Sequence, residues 1–144
     1  MKYAIAILLH IALTGCGNAM HDERNDVWLD ADFEPYFQEF LKEGGKNRDV
    51  RNLAITFGDV PSGVDAICYH LGKSVIVSPG KFGAFSDIRK KALIFHELGH
   101  CVLGRFKHND ELLADGCPAS LMAETTPKND CLHAHWEEYM RELF

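Results

Sequence analysis

Three histidines and a glutamate lie close together in the segment FHELGHCVLGRFKHND, residues 95–110. His96 and His100 are four residues apart, so on a helix they project from the same side, one turn above the other. Two imidazoles placed in this way can bind one zinc ion, with bonds of about 2.0–2.1 Å. Glu97 is angled away from direct ligation, but its carboxylate can hydrogen-bond a metal-bound water. The pattern therefore indicates a metal site, to which the nearby His108 could contribute; the alternative is ordinary polar residues on the surface of a helix.

The surrounding segment, residues 86–104, has the pattern of a helix. Ser86 is a favourable N-cap, and Gly104 is a natural residue to end the helix. Apolar residues recur at helical spacing and supply a face for burial: Ile88, Ala92, Phe95, Leu98 and Val102. Gly99 falls inside this helix, where glycine costs about 1 kcal/mol relative to alanine. We therefore expect close packing, or access to the metal, at Gly99.

The rest of the chain supplies the elements that position this helix. The patterns predict a helix over 30–47, a strand over 50–60, two strands joined by a tight turn over 65–79, and a closing helix over 129–144. The turn is expected near Leu71 and Gly72. This order predicts an α+β fold with a twisted, mostly antiparallel or mixed sheet, an N-terminal helix, an active-site helix and a C-terminal helix.

Composition limits the class of protein. A chain of 144 residues, 47% hydrophobic and 25% charged, is large enough to fold as one globular domain. Its net charge is −6, and the sequence does not resemble that of a protein with a clustered Lys/Arg surface. This balance argues against a nucleic-acid partner, which would require a positively charged surface.

The N-terminus has the pattern of a bacterial export signal. Residues 3–13 form a hydrophobic stretch that is short for a bilayer span, and they lead into Leu-Thr-Gly-Cys, ending at Cys16. This tetrapeptide resembles the lipobox, where the chain is cleaved before the cysteine and its sulfur is lipidated. We therefore predict a lipoprotein signal peptide over 1–15 and a lipidated tether over 16–28; the alternative is a plain secretory signal. The resemblance implies the bacterial cell envelope, and Gly17 favours the outer membrane, facing the periplasm or the cell surface.

The His-Glu-x-x-His pattern at residues 96–100 resembles that of the zincin metallopeptidases. In zincins, zinc polarises the scissile carbonyl and lowers the pKa of its bound water to about 7. The resemblance implies that Glu97 takes a proton from that water and passes it to the leaving amine. It also implies a zinc metallopeptidase domain over 29–144.

The longer metzincin pattern, H-E-x-x-H-x-x-G-x-x-H, adds a glycine and a third histidine. In this chain Gly104 and His108 stand four and eight residues after His100, instead of three and six. His108 is the third ligand that the resemblance implies, but the looser spacing leaves other candidates open. These are Asp110, Glu111, Asp115, His133 and His135.

A second motif favours the metzincins. Ser120-Leu121-Met122 resembles their Ser-Ile-Met turn, which implies that Met122 forms a hydrophobic floor beneath the histidines. The resemblance covers residues 50–144 and is strongest over 93–122. Small bacterial lipoproteins that carry HELGHC and end in Y…LF are also similar. The expected fold is therefore a small metzincin-like zincin domain.

Four cysteines remain once Cys16 is assigned to lipid, and an even number in an oxidising compartment predicts two disulfides. They are Cys68, Cys101, Cys117 and Cys131. The spacing leaves all three pairings open. The metzincin resemblance implies a bond between Cys101 and Cys117, because the segments that carry them lie against each other in that arrangement. Cys68 would then pair with Cys131.

Two functions are compatible with these residues. The first is a membrane-anchored, zinc-dependent endopeptidase with Glu97 as the general base. Its predicted Zn²⁺ ligands are His96, His100 and His108. The second is a zinc-binding surface lipoprotein without catalysis. Glu97 favours the first, because a structural zinc site does not need a carboxylate beside its first ligand. We expect a monomer that acts on a protein or peptide substrate laid along an edge strand within 65–79, and that contacts the membrane through its lipid anchor.

Overall fold

The computed structural model describes residues 19–22 and 26–144. Five strands form one sheet: β1 (Ala19–Asp22), β2 (Val27–Asp30), β3 (Ala54–Phe57), β4 (Ala66–Tyr69) and β5 (Ser74–Val77). Four α-helices accompany them: α1 (Glu34–Glu43), α2 (Pro79–Ala84), α3 (Asp87–Cys101) and α4 (Asn129–Leu143). The predicted α+β class is therefore confirmed.

The sheet is mixed and has the strand order β1-β2-β3-β5-β4. The inner pairs, β2 with β3 and β3 with β5, are parallel, whereas the outer pairs are antiparallel. The last two strands form the predicted hairpin, and the Gly72 N–H donates to the Tyr69 carbonyl, 3.0 Å away, in its turn. β4 is an edge strand, and it packs against α3. This contact brings the strand edge next to the helix that carries the histidine motif.

Helix α3 lies at the centre of the fold. Every residue from Ala92 to Gly99 is buried. The ring of Phe95 lies 5.4 Å from that of Phe40 in α1 and 5.7 Å from that of Trp136 in α4, measured between centroids. Burying side chains of this size stabilises a fold by roughly 1.5–3 kcal/mol each. Packing against two helices and the sheet therefore fixes the position of α3.

The hydrogen bonding at the two ends of α3 differs from what Ser86 and Gly104 predicted. The helix begins one residue after Ser86, as predicted, but the Ser86 hydroxyl bonds the Asn129 side-chain oxygen, 2.7 Å away, and makes no side-chain cap bond to α3. The helix ends at Cys101, three residues before Gly104, with the Val102 N–H bonding the Leu98 carbonyl at 2.8 Å. Gly104 has φ of 72°, a left-handed conformation that favours glycine.

The disulfides correct the pairing that the metzincin resemblance implied. Cys68 bonds Cys101, and Cys117 bonds Cys131, so the predicted Cys101–Cys117 and Cys68–Cys131 pairs are wrong. Cys101 lies on the side of α3 that meets β4, with its Cα 5.8 Å from that of Cys68. Because a disulfide needs Cα atoms within about 7 Å, the contact between helix and edge strand selects the partner.

The N-terminal region also differs from the sequence interpretation. Residues 19–22 and 27–28, which fall in the predicted tether, belong to β1 and β2 of the sheet. Strands of four residues are too short to show a clear alternation, so the sequence gives little signal for them. The predicted signal peptide over 1–15 and the lipidation site Cys16 lie outside the described residues. No helix in the described part of the chain is long and apolar enough to cross a membrane.

Candidate metal centre and its cleft

Three histidine side chains converge at the C-terminal end of α3. The Nε2 atom of His100 lies 3.0 Å from that of His96 and 3.2 Å from that of His108. Ligand nitrogens bound tetrahedrally at 2.0–2.1 Å would be separated by about 3.3 Å, so the observed spacing suits a single ion. The structure therefore brings together the three histidines that the sequence singled out, and this group could hold a metal ion.

Backbone carbonyls orient two of the three imidazoles. His96 Nδ1 lies 2.7 Å from the Leu121 carbonyl oxygen, and His100 Nδ1 lies 2.5 Å from that of Arg105. A carbonyl can only accept, so Nδ1 carries the proton in each ring and Nε2 keeps a free lone pair. Metal-binding histidines are commonly held by such a bond on the nitrogen that does not ligate.

Burial also favours the protonation state in which His96 and His100 can bind a metal. Burial lowers the pKa of His96 to about 4, and it also lowers the pKa of His100. A lowered pKa favours the neutral imidazole, which is the form that binds a metal. Both histidines of α3 are therefore in the form that could bind a metal ion at neutral pH.

A widened helix end accounts for the looser spacing of the third histidine. The Leu103 N–H bonds the Leu98 carbonyl at 3.2 Å, and the Arg105 N–H bonds the Gly99 carbonyl at 3.0 Å. These bonds span five and six residues, whereas an ordinary α-helical bond spans four. The wider turn accommodates the extra residue before Gly104, so His108 still reaches the other two histidines.

The loop that carries His108 is held by backbone pairing. The Asn109 N–H donates to the Met122 carbonyl at 2.8 Å, and the Ala119 N–H donates to the Glu111 carbonyl at 2.8 Å. The Cys101–Cys117 bond that the metzincin resemblance implied would tie this loop to the end of α3. In the structure these hydrogen bonds hold the loop, and the disulfide of Cys117 ties it to α4 instead.

The glycine inside α3 has a packing reason. Met122 is fully buried, and a Cβ atom added to Gly99 would collide with its sulfur. The methionine therefore packs against the helix between the turns that carry His96 and His100. Its contact with Gly99 is the close approach that an interior glycine suggests.

Glu97 faces a cleft of about 530 Å³ that also contains the three histidines. Its side chain is 4% exposed, and burial raises its pKa to about 7. The backbone amide of Cys68, which hydrogen-bonds the carboxylate, acts in the opposite direction. The carboxyl group therefore lies next to the metal centre, with a pKa that suits proton transfer near neutral pH.

The cleft contains two aromatic groups that the sequence analysis did not single out. His70, in the turn between β4 and β5, and Phe106, after α3, both line it, with ring centroids 5.1 Å apart. Phe106 is 65% exposed, which is high for a large apolar side chain. Neither position carries a pattern that marks it in the sequence, because a turn residue and a loop residue meet only after folding.

The rival ligands lie elsewhere. Asp115 bonds His135 at 2.7 Å, and Asp110 accepts the Glu124 N–H at 2.8 Å. Asp115, Cys117 and His135 also come close enough to suggest a metal group, but the sulfur of Cys117 is committed to a disulfide. The two remaining candidates are exposed side chains: Glu111 and His133. In the described residues, only His108 joins His96 and His100 in a group with metal-binding geometry.

No protein-family model, curated protein or solved structure matches the chain. Fold and site together define a small α+β domain in which a buried helix and a loop bring three histidines together in a cleft.

Proposed function

We propose that this protein is a zinc-dependent endopeptidase. The observation that carries the proposal is the buried Glu97 carboxylate, which shares a cleft with a group of three histidines. The described residues add no fourth His, Cys, Asp or Glu to that group. Catalytic zinc sites have three protein ligands and an open position, whereas structural sites are closed by four.

Zinc is the metal that fits this donor set best. Three neutral imidazoles at tetrahedral spacing match its preference for nitrogen ligands and low coordination number. Bound there, the ion would polarise a substrate carbonyl and acidify a water molecule. His96, His100 and His108 would hold it, with the first two kept in the required tautomer by their carbonyl partners.

Glu97 supplies the proton transfer. Its carboxylate accepts a proton from the water whose oxygen attacks the carbonyl carbon of the peptide. The same group then delivers that proton to the amide nitrogen as the carbon–nitrogen bond breaks. A carboxyl pKa near 7 allows both transfers near neutral pH.

The edge of β4 supports an extended peptide as the substrate. Hydrogen bonds alternate along an antiparallel pair, and the Ser78 N–H bonds the Asp65 carbonyl at 3.0 Å. The peptide groups of Ala66 and Cys68 therefore point away from β5, and the amide of Cys68 reaches Glu97. Because Ala66 and Cys68 line the cleft that also contains the histidines, a peptide that pairs with the remaining groups of this edge would lie beside them.

We further propose that the protein is anchored in the bacterial cell envelope through lipid on Cys16. The support is the Leu-Thr-Gly-Cys motif after an apolar stretch, together with two disulfides, which persist in an oxidising compartment. Palmitate labelling of the wild type and its loss in Cys16→Ser tests the anchor. Equal labelling of both proteins contradicts it.

A peptide-library assay on the full-length protein tests the enzymatic proposal. We expect cleavage that disappears when a chelator removes the metal and returns when zinc is added. Metal content is measured in the same samples. Tight zinc binding without cleavage of any peptide would contradict the proposal and favour a zinc-binding lipoprotein without catalysis.

A further inference from the structure

A carboxylate on the last turn of α4 joins two segments that flank the metal centre. Glu142 forms a salt bridge with Arg105, and its other carboxylate oxygen accepts a hydrogen bond from the Ser120 hydroxyl at 2.6 Å. The Arg105 guanidinium also donates to the Glu142 backbone carbonyl at 2.6 Å. All three contacts are partly buried, so solvent screens them less than an exposed pair.

Each of these two segments contains a backbone carbonyl that bonds a histidine of the metal centre. Arg105 offers its backbone carbonyl to His100 Nδ1. On the other side, the Ser120 hydroxyl accepts the Met122 N–H at 2.9 Å, and the residue between them, Leu121, offers its carbonyl to His96 Nδ1. One carboxylate therefore restrains both carbonyls that orient the imidazoles of α3.

We propose that Glu142 is a positioning residue that sets the metal affinity of the three-histidine group. This inference rests on the metal centre of the proposed function but not on its catalysis. Groups that orient metal-binding histidines typically change metal affinity by 10–100-fold when they are removed. Without the Glu142 side chain, Ser120 loses its partner and Arg105 keeps only its bond to the Glu142 backbone carbonyl. The two carbonyls that orient the histidines then gain freedom that metal binding must remove.

Other links between α4 and the same loop remain when Glu142 is replaced. The Cys117–Cys131 disulfide is one, and the hydrogen bond from the Tyr139 hydroxyl to the Pro118 carbonyl, 2.9 Å long, is another. The Tyr139 bond provides a matched control, because it joins α4 to the loop but leads to neither histidine carbonyl. A purely structural role for Glu142 would make the Glu142 and Tyr139 variants behave alike.

The test compares Co²⁺ and Zn²⁺ affinity, measured by competition with a chelating dye, in the wild type, Glu142→Ala, Glu142→Gln and Tyr139→Phe. We expect about 10–100-fold weaker binding in Glu142→Ala, with an altered Co²⁺ absorption spectrum. Glu142→Gln, which keeps the shape and can keep some hydrogen bonds, should show a smaller loss in the same direction. Tyr139→Phe should keep the wild-type affinity and spectrum, whatever it does to the unfolding of the metal-free protein.

The inference is overturned if both Glu142 variants bind metal within about twofold of the wild type, or if Tyr139→Phe loses as much affinity as they do. If Glu142→Ala does not fold, Glu142→Gln and Ser120→Ala decide, since each weakens the same network less severely. Metal affinity is independent of peptide cleavage. A protein that binds metal through this network but cleaves nothing would refute the proposed enzyme and leave the role of Glu142 intact.

Discussion

The two sides of the metal centre are built differently. Helix α3 presents His96, Glu97 and His100 from a buried backbone that packs against two helices and the sheet. The opposite side is a loop, whose His108 is exposed and whose path is set by backbone pairing with the segment around Met122. One side is fixed by apolar burial and the other by hydrogen bonds, so mutations on the two sides should have different consequences.

The difference suggests a division of roles. Groups on the helix are desolvated, which lowers the pKa of both histidines and raises that of Glu97. The loop contributes a third nitrogen without being buried. In the proposed function, the helix side supplies the proton acceptor and two metal ligands, and the loop supplies the third ligand.

The largest effect is expected at Glu97. Glu97→Gln should lower kcat for peptide cleavage by about 10²–10⁴-fold with metal content unchanged, because it removes the proton acceptor but no ligand. Glu124→Gln is the matched control, since this exposed carboxylate lines the cleft from the loop side. Steady-state kinetics and metal analysis of both variants test the difference. Equal losses in the two variants would contradict the assigned role of Glu97.

The next effect compares one ligand from each side. His96 and His108 would each supply one of only three protein ligands, so the loss of either should weaken metal binding by about 10²-fold or more in both His96→Ala and His108→Ala. The metal-free proteins should differ. His96→Ala leaves the Leu121 carbonyl unpaired and should lose about 1–3 kcal/mol of unfolding free energy. His108→Ala should change it by no more than about 0.5 kcal/mol.

Urea unfolding in the presence of a chelator measures the unfolding free energies of metal-free His96→Ala and His108→Ala. A similar loss of stability in the two metal-free variants would show that the loop side is as tightly integrated as the helix. Unchanged metal affinity in His108→Ala would remove His108 from the ligand set.

A smaller effect tests the close packing beneath α3. An alanine at Gly99 gains about 1 kcal/mol of helix propensity, but its Cβ overlaps the buried Met122 sulfur, and overpacking costs about 1–3 kcal/mol. We expect Gly99→Ala to be net destabilising by about 1 kcal/mol. Gly83→Ala, in α2, is the control. It should stabilise the protein, because a Cβ there meets nothing within 4 Å. Denaturant unfolding of both variants measures the difference, and a stabilised Gly99→Ala would contradict the packing argument.

These two sides also differ in how far the sequence predicted them. The spacing of His96 and His100 and the apolar face of α3 predicted the helix, because both signals are local. The assembly of the loop side depends on residues distant in the chain. Cys117 of the loop bonds Cys131 in α4, whereas the resemblance implied a bond to Cys101 and was wrong.

The same distinction holds elsewhere in the fold. Alternating apolar residues predicted β3 and the hairpin of β4 and β5, whereas β1, β2 and the short helix α2 gave too little pattern to be predicted. Glu142 lies 37 residues from Arg105 and 22 from Ser120, and nothing in its sequence neighbourhood indicates either contact. Local periodicity thus predicts elements and their faces, and contacts between distant elements need the structure.

The smallest effect concerns a histidine of α4 that bonds the loop and contrasts with those of the three-histidine group. The pKa of His135 is raised, mainly by its hydrogen bond to Asp115 and secondly by its hydrogen bond to Glu138. Burial, in contrast, lowers the pKa of His96. A raised folded-state pKa gives stability that is fully present below the unfolded-state value of about 6.5 and is lost as pH rises through the folded-state value. Because His135 joins α4 to the loop, this junction should be slightly more stable in acid. Asp115→Asn should lower the His135 pKa measured by NMR titration and reduce the difference in unfolding free energy between pH 5 and pH 8. A His135 titration that Asp115→Asn leaves unchanged would show that this ion pair does not hold the loop to α4 in solution.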